Sequence, residues 1–332
     1  MFKINKQFVF LTVIIITVIL ISLSFFTKKE EVIIEEKEEV IKEIIINPLN
    51  GLEITEDDNF FITAISLDNA YNVRPQAGLK QAEIVYETLV EGNITRLLAI
   101  YDSYTKVDKI GPVRSARNYF MDWAEEYHGL YMHVGGSPQA LKSINSFDFI
   151  NIDQMGYNEI YFWRDNNYLA PHNVFTSSAN YLRAGDLKEV KPLNDFRAWN
   201  FKEGEEGETI FDLIIDFSND YYKVEWQYND SLEKYQRLQG GDKFIYYTGE
   251  QVEADNIIVQ IVPTYFIDQE RRGLDNKEEG LVYIFNKLGE QKGFWKYLEG
   301  RTIFLNEKGE DLFLIPGKTW VEIISEEKKL IY

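Results

Sequence analysis

The chain has 332 residues, an apolar fraction of 45%, an aromatic fraction of 15% and a formal net charge of -19. This apolar content excludes global disorder, and the length has room for a membrane anchor and roughly two ordinary domains. The acidic balance argues against nucleic acid as a partner, because neutralising phosphates needs a basic face. The absence of cysteine excludes disulfides, thiolate metal sites, thiol nucleophiles and a lipidated N-terminal cysteine. Three histidines, His128, His133 and His172, have no paired spacing, so no metal site and no cofactor is expected.

Residues 8–26 carry no charge, and such a run at about 1.5 Å per residue nearly spans a hydrocarbon core of ~30 Å. The expectation is a cytoplasmic leader and single-pass transmembrane signal-anchor over residues 1–27, which makes the membrane a partner and puts the bulk of the chain outside the cytoplasm. Ser22-Leu23-Ser24 is the competing feature, a weak signal-peptidase site that would free the chain after Ser24. Residues 28–46 mix glutamate, lysine and small Val/Ile clusters without turn residues, the pattern of a solvated acidic stalk.

An α/β domain is expected over residues 47–190. Residues 60–67 form a β-rich apolar run, and residues 84–90 and 94–103 bracket Glu91-Gly92-Asn93 as a hairpin. Residues 149–152 and 159–163 read as further strands, and Ser177-Ser178 as the cap of a short helix ending near Leu182. Helical periodicity fades at Lys191-Pro192-Leu193-Asn194-Asp195. Strand-like runs then recur at 210–217, 223–228, 244–247, 256–266, 280–285, 294–297, 302–305 and 320–324, so residues 191–332 are expected to form a β-rich domain. Trp226, Tyr228, Trp295 and Trp320 suit core packing better than a glycan- or peptide-binding face.

The chemistry concentrates in residues 110–139. Gly111-Pro112-Val113-Arg114-Ser115-Ala116-Arg117 precedes an aromatic helical segment, and His133-Val134-Gly135-Gly136-Ser137-Pro138-Gln139 precedes another helix. Ser115 and Ser137 are placed as N-caps, with Pro138 at the first helical position. Arg74, Arg96, Arg114 and Arg117 crowd one region of an acidic chain. Guanidinium groups beside glycine-rich helix starts suit a phosphate or carboxylate. The competing reading makes the loops turns and the arginines structural partners of Glu83, Glu87 and Glu91. The candidate anion-binding set is therefore Arg74, Arg96, Arg114, Ser115, Arg117, Gly135, Gly136, Ser137 and His172, with Arg114, Arg117 and Ser137 converging on one concave surface. Asp68, Glu83, Asp122 and Asp153 are candidate carboxylates without diagnostic spacing, and no catalytic residue is assigned.

These motifs resemble the YerB-like lipoproteins, a family of bacterial envelope proteins with a two-part domain of unknown function. The likeness rests on Asn47-Pro48-Leu49-Asn50-Gly51-Leu52, Arg74-Pro75-Gln76-Ala77-Gly78-Leu79, Ala82-Glu83-Ile84-Val85-Tyr86-Glu87, and Glu91-Gly92-Asn93-Ile94-Thr95-Arg96-Leu97. Both glycine loops, Ala170-Pro171-His172-Asn173, Gly293-Phe294-Trp295-Lys296 and Pro316-Gly317-Lys318-Thr319-Trp320 extend it. The family's lipobox cysteine is missing, which leaves anchoring to the apolar helix. The order of strand, basic loop, helix, strand and Gly-Gly loop is also similar to the LytR-CpsA-Psr transferases, although Arg114-Ser115 stands where their Arg-Asp pair would be. The resemblance brings no established reaction; the missing carboxylate pattern and weak nucleophile candidates favour an extracytoplasmic, non-enzymatic binding module for an anionic envelope ligand or a protein partner. The alternative is a phosphotransferase or hydrolase acting on polyprenyl-phosphate-linked or cell-wall glycans.

Overall fold

The computed structural model describes residues 14–22, 45–54, 60–192, 196–205, 207, 209–269, 271–326 and 330–332. The chain forms two units, residues 1–43 and residues 44–332. In the first, residues 14–22 are helical, within the apolar run. Among the described residues no helix is long and apolar enough to cross a membrane. The flanks of that run and nearly all of the expected stalk lie outside the described residues.

In the second unit the principal strands are β1 (Ile62–Asp68), β2 (Ile84–Leu89), β3 (Thr95–Asp102), β4 (Leu130–His133), β5 (Ile150–Asp153), β6 (Leu213–Asp216), β7 (Lys223–Asn229), β8 (Lys234–Gln239), β9 (Asn256–Ile261), β10 (Glu279–Asn286), β11 (Gly289–Leu298), β12 (Arg301–Leu305) and β13 (Thr319–Ile324). The helices are α1 (Asn118–Glu125), α2 (Pro138–Ser143) and α3 (Ser178–Lys188). One ten-stranded mixed sheet runs β12-β11-β10-β9-β13-β2-β3-β1-β4-β5. A smaller sheet is built on β8-β7-β6.

The N-terminal part is mixed α/β and the C-terminal part is β-rich. Past residue 191 the described residues hold one 3-10 turn, Asp220–Tyr222, and no α-helix. The change of composition at Lys191 is nevertheless no break in the sheet. β13 pairs in parallel with β2, Thr319 opposite Ile84, and in parallel with β9 on its other side. Strands β1, β2, β3 and β13 are buried along their whole length. Both their faces are covered, so they read as mostly apolar runs rather than strictly alternating ones. One face packs against the small sheet and α3, bringing Val85, Leu97, Ala99, Val259 and Trp320 against Leu213, Val224, Trp226 and Tyr181. The other receives α1 and α2 through Phe120, Trp123, Tyr127 and Ala140. Trp226, Trp295 and Trp320 are fully buried, so they belong to the core.

Local chemistry explains several departures from expectation. Residues 159–163 are not a continuous strand: Trp163–Arg164 pairs with Val174–Phe175, Phe162 makes an isolated bridge to Asn158, and Tyr161 buries its ring from a turn. Residues 244–247 make only an isolated bridge, Ile245 to Gln251. α3 continues to Lys188, six residues past the expected end at Leu182. β8 was hidden because its inward residues are Tyr235, Arg237 and Gln239, a polar stripe that does not read as a buried strand. At Gly129 a Cβ would lie 1.9 Å from the Ile62 carbonyl oxygen. Glycine is therefore required for β4 to start alongside β1.

Candidate functional site

Strands β1, β2, β4, β9 and β13 run in one direction, and β3 runs against them. The C-terminal ends of the first group and the start of β3 therefore share one edge of the sheet. Asp68, the last residue of β1, lies opposite Arg96 near the start of β3. The 111–117 loop crosses the same edge, with Val113 bridged to Leu67 and Ala116 to Gly136.

That bridge keeps the chain extended through Arg117 (φ -133°, ψ 150°), so α1 starts at Asn118 and has no side-chain cap. Ser115 is thus not the cap expected of it; its carbonyl accepts from Arg96 Nη1 at 3.3 Å. Ser137 does cap α2, its Oγ accepting from the Ala140 N–H at 3.2 Å, with Pro138 following. Gly135 takes a left-handed conformation (φ 55°), donates its N–H to Asp153 Oδ1 at 2.8 Å, and accepts from Ala116. Its N–H is consequently spent inside the protein. Gly136 packs against Leu141 and Ala116.

A cleft of about 690 Å³ opens at this edge, lined by Glu91, Arg96, Arg117, Ser137, Pro138, Asp268, Gln269 and Arg271. Three arginines and two carboxylates face it. Arg117 is held by Glu91 through Nε at 2.8 and 3.0 Å and Nη2 at 2.7 Å. Burial pushes the Glu91 carboxyl up, but Arg117 outweighs it and holds the group below the usual carboxylate range. Arg271 pairs with Asp268 through Nε at 2.6 Å and donates from Nη1 to Gln139 Oε1 at 2.5 Å.

Arg96 differs from both. It is only 4% exposed and, among the described residues, donates to one backbone carbonyl while its Nε is buried without a hydrogen-bond partner. Among the described residues no carboxylate lies within ion-pair distance of it. Burial, followed by the nearby Arg117 and Arg114 charges, lowers it to about 10. A cation in that position favours an anion in the cleft.

Three expected members, Arg114, His172 and Arg74, are elsewhere. Arg114 turns to Asp68, with Nε 3.0 Å from Oδ2, and donates from Nη1 to the Pro171 carbonyl at 3.0 Å. His172 puts Nδ1 2.5 Å from the same Asp68 Oδ2. Arg114 and His172 thus share one buried carboxylate beside the cleft. Arg74 is not part of this group. It donates to Asn69 and to the Tyr221 carbonyl and lies 5.0 Å from the Tyr222 ring centroid, so it serves the packing between the two sheets. His133 is fully buried, with Nδ1 2.7 Å from the Gly135 carbonyl and Nε2 2.7 Å from Asn151 Oδ1.

Two features escaped sequence reasoning. Arg271 comes from the hairpin after β9, and its only signal was an Arg-Arg pair in an acidic stretch. Between the sheets, Arg237 bridges Glu87 Oε2 at 2.5 Å and Glu322 Oε1 at 2.6 Å, all three fully buried. The residues of this triad lie 85 and 150 positions apart, so no local pattern marks it.

A mixed sheet shared by an α/β part and a β-rich part, with an arginine-lined cleft at its edge, defines a two-part protein. The family relation follows the same division. Residues 49–191 match the family described as Protein of unknown function (DUF3048) N-terminal domain, and residues 213–321 match its C-terminal domain. The chain belongs to this family. It is 31% identical over 272 residues to the "Putative lipoprotein YerB" of Bacillus subtilis (strain 168), covering 79% of this chain and 81% of that protein. The crystal structure of the YerB protein from Bacillus subtilis is similar throughout: the TM-score is 0.78 at 30% identity, covering 87% of this chain and all of the other.

Proposed function

We propose that this chain is a membrane-anchored, extracytoplasmic binding protein whose edge cleft holds a phosphate- or carboxylate-bearing envelope ligand. The observation that carries the reading is Arg96, a buried guanidinium in the wall of a wide cleft that, among the described residues, has no carboxylate within ion-pair distance. A buried charge of this kind is costly alone and is offset by a counter-ion. The anchoring half of the proposal rests on the uncharged run 8–26 and on the lipoprotein named among the relatives. With no cysteine to acylate, the apolar helix itself would hold the chain to the membrane.

The test is calorimetric titration of the full chain in detergent micelles with inorganic pyrophosphate. A charge-assisted hydrogen bond contributes roughly 1.5–3 kcal/mol, so Arg96→Gln is expected to weaken binding about tenfold or more. Equal affinity in wild type and variant, with an unchanged melting temperature, would refute the site.

The second reading, a phosphotransferase or hydrolase, is favoured by one contact. Asp68 receives Nδ1 of His172, an arrangement that fixes the ring and leaves Nε2 to take a proton. Release of phosphate from a pyrophosphate substrate that is lost in His172→Gln would support it; no turnover in wild type would remove it.

A further inference from the structure

Resting on the anion-binding reading, we propose that Glu91 is the specificity-determining residue of the cleft, restricting it to doubly charged phosphate groups and excluding single carboxylates. Glu91 occupies Arg117 as a ligand carboxylate would. Its two oxygens meet the Nε and Nη2 of one guanidinium in the fork geometry that carboxylates prefer. It does so from a hairpin tip whose next two residues, Gly92 (φ 71°) and Asn93 (φ 56°), are both left-handed and exposed.

A monocarboxylate entering the cleft could meet Arg117 only by replacing Glu91. That exchange trades an intramolecular carboxylate for an intermolecular one, with the same charge and geometry and an added loss of translational freedom. Arg271 offers no easier contact, because Asp268 and Gln139 already hold it. Arg96 is the arginine of the lining without an ion pair among the described residues, but at 4% exposure it offers a single carboxylate one contact in competition with water.

A phosphate monoester differs in two respects. It carries close to two charges at neutral pH and presents three acceptor oxygens. It can therefore meet Arg96 and displace Glu91 from Arg117 in the same event, replacing one negative charge with two. The lining residues supply the matching balance: three arginines against Glu91 and Asp268 leave one net positive charge, which becomes two when Glu91 swings out. Arginine rather than lysine at all three positions suits a planar, multidentate contact.

The experiment titrates the full chain in detergent micelles with phenyl phosphate and with benzoate, which share a ring and differ in the charged group. Wild type is expected to bind phenyl phosphate and to take benzoate at least tenfold more weakly. Glu91→Gln is expected to gain benzoate affinity about tenfold and so to narrow the preference, with Glu91→Ala moving the same way. Melting temperatures equal to wild type establish that both variants are folded. An unchanged preference, or equal weakening for both probes, would overturn the proposal and make Glu91 a mere support for Arg117. If binding is lost in Arg96→Gln while the preference ignores Glu91, the anion site stands and this inference falls. If neither wild type nor variant binds either probe, both fall.

Discussion

Glu322 should make the protein less stable as pH rises, and replacing it should abolish that loss. Its carboxyl is fully buried between the two sheets, where Oε1 accepts from Arg237 Nη1 at 2.6 Å and from Trp226 Nε1 at 2.7 Å. Oε2 is buried without a partner. Arg237 already serves Glu87, so two ionised carboxylates around one guanidinium leave a net negative charge in the core. Burial, assisted by Glu87, pushes Glu322 up to about 7 against the attraction of Arg237. A carboxyl with a raised folded-state value binds more protons folded than unfolded over that window, so stability falls as pH rises from about 4.5 to about 7. At about 1.4 kcal/mol per unit, the loss accumulated by pH ~8 is about 3 kcal/mol. Glu322→Gln keeps the volume and the Oε1 acceptor and removes the charge, leaving Arg237 and Glu87 as a neutral pair. Urea unfolding of residues 44–332, followed by fluorescence of the buried tryptophans, should find the variant gaining on wild type by about 3 kcal/mol between pH ~4 and ~8. A difference that stays flat across that range, or a variant that loses ground with rising pH, would refute the reasoning.

Two other expectations concern the whole chain. Protease added to intact protoplasts should degrade the part beyond the apolar run, and complete protection would place it inside the cell instead. Residues 45–192 expressed alone should lack a cooperative unfolding transition, because the edge of β2 loses β13 and Glu87 loses Arg237; a sharp transition by calorimetry would show that the α/β part folds by itself.

The sequence was most legible where a strand is buried on both faces, as in β1, β2, β3 and β13, because short runs dominated by apolar, β-branched and aromatic residues admit few other readings. It was least legible where one residue carries a long-range role. Arg237 and Gln239 turn inward to a partner network, so β8 reads as a polar loop. The run at residues 159–163 satisfied the strand pattern, yet its backbone pairs regularly only from Trp163 while Tyr161 and Phe162 serve packing. Ser115 fitted the pattern of a cap, yet a single backbone bridge between Ala116 and Gly136 moved the helix start past it. For the candidate site, the crowding of arginines was visible, but their division was not. Arg117 goes to Glu91, Arg114 to Asp68, Arg74 to the inter-sheet packing, and Arg96 to no carboxylate; each assignment depends on which strand lies beside which.

The two halves of the family description meet in the cleft. Its wall takes Glu91, Arg96, Arg117 and Ser137 from the first half and Asp268, Gln269 and Arg271 from the second. β13 is what brings the halves together, since it is the strand between β9 and β2. Gln139 then touches Arg271 across the same edge. A protein shaped only for stability would gain by replacing Arg96 with an apolar or neutral residue, because a buried cation beside Arg114 and Arg117 is opposed by both burial and repulsion. Among the described residues the two other buried arginines have carboxylate partners: Arg237 has Glu87 and Glu322, and Arg301 has Glu126 at 2.8 Å. Local rules broken without an internal compensation are expected at functional positions. Arg96 breaks one at the place where both halves line a wide opening, and the anion-binding proposal rests on that coincidence.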